Sequence, residues 1–390
     1  MTAGDALPPY MYTQGPPRRD EQSGGWLVGD YATALRLLSD DRLYMDHRHY
    51  GPGRDRGELH EGPVNAAGLI AAMPARHRAL RNLITLRFTP AAARRLRPAI
   101  TEMVDALIDA VLATGSDTVE LVGAISRPLP TRLMYDLIGL DDPFDAVMDV
   151  VWRWMDEEYH VVPNIAALVD QESHWRWWER VLRERRAAPG PGRPGILADL
   201  LDAQRDGYDV DGEPLSDVDI IGTLAILMSA GSATVAAALP TAVVLAGNSG
   251  DLSQLAQPEL AARAVAETLR LESPFAFLTR QAQADTTLPG CPVRAADPLI
   301  INVVAAQRDP AQWADPNAFD LQRPSTRAGL LAFGRGAHRC IGEHLAYAEL
   351  EIGLSRLVSR LPGLRVLSVA DRKFPAMVTH IPSVVCRFDR

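Results

Sequence analysis

Hydrophobic positions recur with a helical period over most of the chain. That period predicts helices over residues 76–88, 91–113, 125–138, 143–155, 165–186 and 195–204. Thr89-Pro90 divides the first two, a capping side chain followed by proline at the first helical position. Near the start, residues 26–45 read as a short strand and then a helix over 31–38. Polar, Gly-rich stretches at 48–65 and 187–195 read as loops. Beyond Pro274 the pattern shortens into β-like runs at 299–304 and 384–388. The pattern describes a mainly α chain with a minor β part and no internal repeat.

Residues 220–247 contain no charged side chain. Such a run is long enough to cross a bilayer, and it also suits a helix buried on every side of a large protein. Gly, Ser and Thr cluster in its middle, and neither a basic flank nor an aromatic belt follows, which favours the buried helix.

Composition narrows the function classes. Of 390 residues, 47% are hydrophobic and 23% charged, ordinary for a globular protein. Three cysteines cannot form a disulfide scaffold. A net charge of −9 excludes wholesale binding to nucleic acid. The N-terminal segment has no signal-like apolar core, so the cytoplasm is the expected location, with no membrane association.

Candidate chemistry concentrates at residues 333–342, FGRGAHRCIG, which lead into a predicted helix over 343–361. A lone cysteine is most often a small buried hydrophobe. That suits Cys386 in an apolar strand and Cys291 in a Pro/Gly turn. Cys340 is different: it follows His338 and Arg339 at a helix start, a setting that favours thiolate. Glycines at 334, 336 and 342 let backbone approach something flat, and Phe333 can shield the sulfur. A buried thiolate is costly without a cation, so the pattern asks for a metal. Zinc fails because no second Cys or His pair lies at ligand spacing, and a cysteine protease fails for want of its sequence context.

This segment resembles the cysteine-ligand loop of the haem-thiolate monooxygenases, the cytochrome P-450 superfamily, in its bacterial soluble form. The resemblance implies one haem-thiolate monooxygenase domain over 1–390, with a large helical part and a small β-rich part. Cys340 would be the metal ligand of haem b. Phe333, Gly334, His338, Gly342 and Ala230 would also meet the cofactor. His77 and Arg81, an H-x-x-x-R pair, would bind the propionates together with Arg280 and His338. Read alone, each of these charges is as easily a solvated one. Glu267-Thr268-Leu269-Arg270 resembles the family's buried Glu–Arg pair, with Arg323 as its basic partner, a structural network.

Ala230-Gly231-Ser232-Ala233-Thr234 resembles the oxygen-binding helix; read without the family, it is a small-residue packing patch. Gly231 and a back-bonding hydroxyl would open a groove there. Thr234 stands at the proton-relay alcohol, with Gly231 and Ser232 beside it. Ala233 stands where the family has an acid, which puts ordinary proton relay in doubt; Ser232, a water or the substrate would have to replace it. Family position nominates Met228, Phe275, Phe277, Leu278 and Met377 as substrate contacts, together with the 60–75 loop. Their character implies an apolar or aromatic small molecule, by default a secondary metabolite.

Residues 62–101 carry seven arginines and no acid. Nucleic acid is one reading of this local basic patch. The resemblance implies another, a docking face, with Arg335 and Arg339, for an acidic ferredoxin served by a ferredoxin reductase. Trp152, Trp154, Trp175, Trp177 and Trp178 form an aromatic group that is either core or the lining of an access channel. The expected activity is oxidation of the substrate with dioxygen. The alternatives are non-hydroxylating chemistry (aromatic coupling, nitration or desaturation), which Ala233 favours, and a thiolate-haem sensor without turnover.

Overall fold

The long apolar run becomes helix α8, Asp217–Ser249, around which the helical part is assembled. The computed structural model describes residues 15–20, 25–40, 43–44, 69, 74–158, 172–190, 192–250, 252–282, 285–288, 291–295, 297–324, 326–372 and 378–390. Ahead of α8 come α1 (Tyr31–Leu38), α2 (Pro74–Thr85), α3 (Pro90–Ala113), α4 (Pro128–Ile138), α5 (Phe144–Glu158), α6 (Glu172–Ala187) and α7 (Ile196–Arg205). After it come α9 (Pro258–Leu271), two single-turn pieces α10 (Val303–Ala306) and α11 (Thr326–Gly329), and α12 (Glu343–Arg360).

Local chemistry explains the boundaries. Thr89 accepts the Ala92 N–H and Pro90 opens α3. Ser216 and Asp219 form a reciprocal capping box that starts α8 ahead of the uncharged run. Gly139 ends α4 in the left-handed conformation. Met228, Leu239 and Val243 of α8 are fully buried. The most apolar window of this helix is 83% buried within the protein, so it serves as a core helix. α4, α9 and α12 pack on it, and α12 also lies along α3.

The β part holds a mixed sheet, with strands in the order β1 (Arg18–Arg19), β2 (Trp26–Val28), β10 (Pro298–Asn302), β7 (Phe277–Ala282) and β3 (Leu43–Tyr44). β10 runs parallel to β2 and antiparallel to β7, with Leu299 opposite Arg280 and Ile301 opposite Leu278. A second sheet joins β11 (Arg365–Val369), β12 (Val384–Arg387) and β4 (Thr118–Glu120), and two hairpins pair β5 (Asp209–Val210) with β6 (Glu213–Pro214) and β8 (Thr286–Leu288) with β9 (Cys291–Val293). The mixed sheet has its own apolar core, built from Val28, Leu37, Leu299, Ile301 and Leu331. The architecture is mainly α with a minor β part, as the pattern predicts.

The tryptophans divide from the channel reading. Trp178 is fully buried and donates to His174 Nε2 at 3.0 Å, while Trp154 stacks on the same imidazole at 4.0 Å between centroids. Trp152 donates to Thr131 and lies under the Arg127 guanidinium. They pack α4, α5 and α6 together, and none of the five borders the large cavity described below.

Candidate active site

The segment carrying Cys340 is fixed from several directions. Phe333 O accepts the Cys340 N–H at 2.8 Å, closing a tight loop. Gly334 and Gly336 sit at φ of 65° and 68°, where a side chain would be strained. Gln307 bridges two elements: its amide donates to Leu269 O and Arg270 O, and its oxygen accepts from Leu331 N at 2.8 Å and Ala332 N at 3.2 Å. Behind it, Arg270 makes two bonds of 2.9 Å to Glu267, and Arg323 approaches the same carboxylate at 3.1 Å. Arg270 also donates to the carbonyls of Gln307, Pro316 and Ala318. These groups tie α9 to the chain that precedes the cysteine. No sequence motif signals the bridging role of the Gln307 amide.

A cavity of about 240 Å³ lies between this loop, α8, α2 and β7. The Cys340 side chain is enclosed by protein yet open to it. The backbone N–H groups of Gly342 and Glu343 and the Arg81 charge favour a charged sulfur, but burial outweighs them and pushes the thiol pKa up. Positive neighbours in the sequence predict a thiolate, and two of them fall short. His338 is held near a pKa of about 3, chiefly by burial, and is therefore neutral. Arg339 is engaged by Glu343 at 2.7 and 2.9 Å, and the Glu343 charge itself opposes ionisation of the sulfur. A thiolate here requires a cation on the cavity side.

The cavity gathers most of the sequence-predicted residues: His77, Arg81, Ala230, Gly231, Thr234, Phe275, Leu278, Arg280, Phe333, Gly334, His338, Cys340 and Gly342. The His77 and His338 rings lie 4.1 Å apart. Arg81 donates to Arg339 O at 2.8 Å. His77 falls to a pKa of about 4, first through burial, then through Arg81 and Arg78. Arg280 and Arg81 press His338 in the same direction. Two guanidiniums and two imidazoles thus crowd one edge, an arrangement that favours an anionic ligand. The donor set fits a haem: one sulfur open to a mainly apolar cavity and cations for two carboxylates at its edge.

The remaining predicted residues lie elsewhere. Ser232 and Met228 are fully buried outside the cavity lining, Ser232 Oγ standing 3.8 Å from Met228 Sδ. Both occupy the back of α8, so Ser232 is not placed to replace an acid at 233. Ala233 is also buried off the lining. Phe277 is off it too, because successive strand residues alternate faces and Leu278 and Arg280 take the inner one. Met377 and, apart from Leu69 and 74–75, the 60–75 loop lie outside the described residues; Leu69 lines the cavity. No groove opens in α8, which stays helical throughout, with Thr234 Oγ1 donating to Ala230 O at 2.9 Å. Gly231 makes room for Met134, since a Cβ there would meet its Cγ and Sδ at 2.7 Å. The site also contains residues that the sequence reading missed: Met134, Ile226, Leu227 and Glu349.

The basic patch is smaller than its sequence suggests. Arg76, Arg87 and Arg97 pair with Asp219, Asp199 and Glu351. Arg94 and Arg95 are exposed.

The cytochrome P450 family pattern matches residues 241–362. The chain is 30% identical over 370 residues to the cytochrome P450 monooxygenase PikC of Streptomyces venezuelae, covering 93% of this chain and 85% of that one. It is 32% identical over 355 residues to pentalenic acid synthase of Streptomyces avermitilis, covering 89% and 83%. Among solved structures it is similar to HmtN, a post-tailoring hydroxylase involved in himastatin biosynthesis, with TM-score 0.78, 27% identity, and coverage of 97% and 96%.

Proposed function

The chain belongs to the cytochrome P450 family and is a monooxygenase, and from that premise we propose that Cys340 ligates haem b and that the enzyme oxidises an apolar secondary metabolite with electrons from a ferredoxin. The observation that carries this reading is the meeting of one open sulfur with His77, Arg81, Arg280 and His338 around a single cavity.

Bound haem supplies a redox-active iron for dioxygen chemistry, the thiolate pushing electron density to favour O–O cleavage. Cys340 would hold it, and the N–H groups of Gly342 and Glu343 would moderate the sulfur's charge. Phe333 and Leu345 exclude water from that side. His77, Arg81, Arg280 and His338 would hold the two propionates, whose charge would favour protonation of His77. Leu69, Ile226, Leu227, Phe275 and Leu278 offer an apolar surface to the substrate. Thr234 spends its proton on Ala230 O, leaving its oxygen to accept from a donor in the cavity. Exposed Arg94 and Arg95, with Arg335 and Arg339, suit the acidic face of a ferredoxin. A cytoplasmic location accords with such a partner.

The reduced, CO-bound optical spectrum tests the reading. The purified protein is expected to show the thiolate-haem band, and Cys340→Ala to lose it. NAD(P)H-driven product formation with surrogate redox partners should accompany the band. A thiolate-haem band without turnover would instead favour a sensor.

A further inference from the structure

Directed bonds pin the backbone of the Cys340 loop, from Cys340 N–H to Phe333 O and from the N–H groups of Leu331 and Ala332 to Gln307. The Phe333 side chain has no polar atom that such a bond could hold, so packing must place its ring. Its aromatic contact is Tyr347 of α12, at 5.1 Å between centroids and 54° between planes. A tilted pair of this kind attracts beyond the area that it buries.

Tyr347 is itself held. It is 5% exposed, and the Arg327 guanidinium of α11 lies over its ring, 3.9 Å from the centroid, a cation–π contact. Arg327 pairs in turn with Glu351, one turn beyond Tyr347 on α12, and Glu351 also accepts from Arg97 of α3 at 3.2 Å. The loop is joined to α11 as well, Arg335 donating to Ala328 O at 3.0 Å. The Tyr347 hydroxyl, in contrast, has no hydrogen-bond partner. A buried hydroxyl left unpaired costs stability, and burial raises the phenol pKa, so the residue stays neutral. What Tyr347 gives its surroundings is therefore its ring. That ring stands one layer behind the cavity wall, which Phe333, Leu345 and Ala346 form.

We propose that Tyr347 is a positioning residue for the Cys340 sulfur: it seats the Phe333 ring where that ring keeps water from the sulfur. The inference rests on the reading above that Cys340 ligates haem. Hydrogen bonds and solvent at a ligating sulfur are among the levers that set an iron centre's potential. A loosened Phe333 ring would admit water, whose hydrogen bonds would draw charge from the sulfur and raise the potential. It would also ease loss of the ligand, in which the sulfur takes a proton from water as its bond to iron breaks.

Spectroelectrochemical titration of the holoenzyme reads the potential. Decay of the thiolate CO band to the thiol form reads protonation of the sulfur. Tyr347→Leu is expected to raise the potential and to speed the decay by about two- to tenfold, the worth of one aromatic pair. Tyr347→Phe keeps the ring and is expected to match wild type in both. Phe333→Leu should move both readings the same way, and Tyr347→Leu added to it should move them little further, because one residue acts through the other. Tyr347→Met, which keeps the bulk without a flat ring, takes the place of Tyr347→Leu should that variant fold poorly. Wild-type potential and decay in the variants that lack the ring, or effects that add in full to Phe333→Leu, would overturn the proposal. A normal thiolate CO band in wild type confines that failure to Tyr347; a wild type lacking the band condemns the haem reading itself.

Discussion

The Cys340 loop and the turn of α8 that faces it across the cavity are held in different ways. Directed polar bonds hold the loop: Cys340 N–H to Phe333 O, Gln307 to Leu331 and Ala332, and behind them Arg270 and Arg323 on Glu267. The α8 turn is held by packing, with Gly231 against Met134 and its one hydroxyl in the cavity bonded to its own helix. Polar bonds fix a ligand atom within tenths of an ångström, as a metal ligand requires. Apolar packing leaves a dry surface where chemistry is decided by the few polar groups that remain, here Thr234 and Glu349.

The largest effect should come from breaking the polar frame. Glu267→Ala leaves Arg270 and Arg323 facing a void, and the side chains of Glu267 and Arg270 are 1% and 0% exposed. Loss of one partner of such a buried set costs about 3–5 kcal/mol. Urea unfolding should show it, and an equal loss from a comparable buried leucine in α8 would remove the contrast in mechanism.

A second test concerns the sparse wall. Burial lets folded Glu349 keep its proton above the pH, ~4.3, at which an unfolded glutamate loses it. In that window the unfolded state has released the proton and the folded state has not, so stability falls as pH rises, by about 1.4 kcal/mol per pH unit for one proton. Below ~4.3 both states hold the proton and the contribution is complete. Urea midpoints measured across a pH series should show a shallower decline for Glu349→Gln. Parallel curves for variant and wild type would mean that the acid ionises normally.

Smaller again, Gly334→Ala forces a side chain into φ of 65° and should cost about 1–2 kcal/mol. The same substitution at Gly342, whose φ is −83°, should cost less, and thermal melts can compare them. The least effect on the fold is expected outside the cavity. Reversing the charges of Arg94 and Arg95 should leave stability unchanged and slow reduction by ferredoxin about tenfold at low salt, with weaker salt dependence. Stopped-flow reduction measures this, and an unchanged rate would move the docking face elsewhere.

What the sequence reveals follows the same division. The Cys340 loop is legible because its residue types are forced: glycines at positive φ, a sulfur, and cations beside it. The cap at Thr89-Pro90 likewise announces α3 in two residues. The cavity face of α8 is not legible. A helix buried on all sides has no polar face, so nothing in the pattern separates Thr234 and Gly231, which face the cavity, from Ser232 and Met228, which do not. The start of α8 is hidden for a related reason, since its first turn carries the acids of a capping box and lies outside the uncharged run. Glu349 had a signal: it stands four residues after Leu345 and four before Gly353, a carboxylate within an apolar stripe. Phe277 is a question of parity, settled by the strand register that turns Leu278 and Arg280 inward.

Iron X-ray absorption of the purified holoenzyme tests most directly the claim on which the rest depends, that the Cys340 sulfur binds iron. The account predicts one sulfur neighbour at thiolate distance in the wild type, lost in Cys340→His while iron remains bound. Iron surrounded by nitrogen and oxygen alone in the wild type, or a sulfur neighbour that survives the substitution, would contradict it.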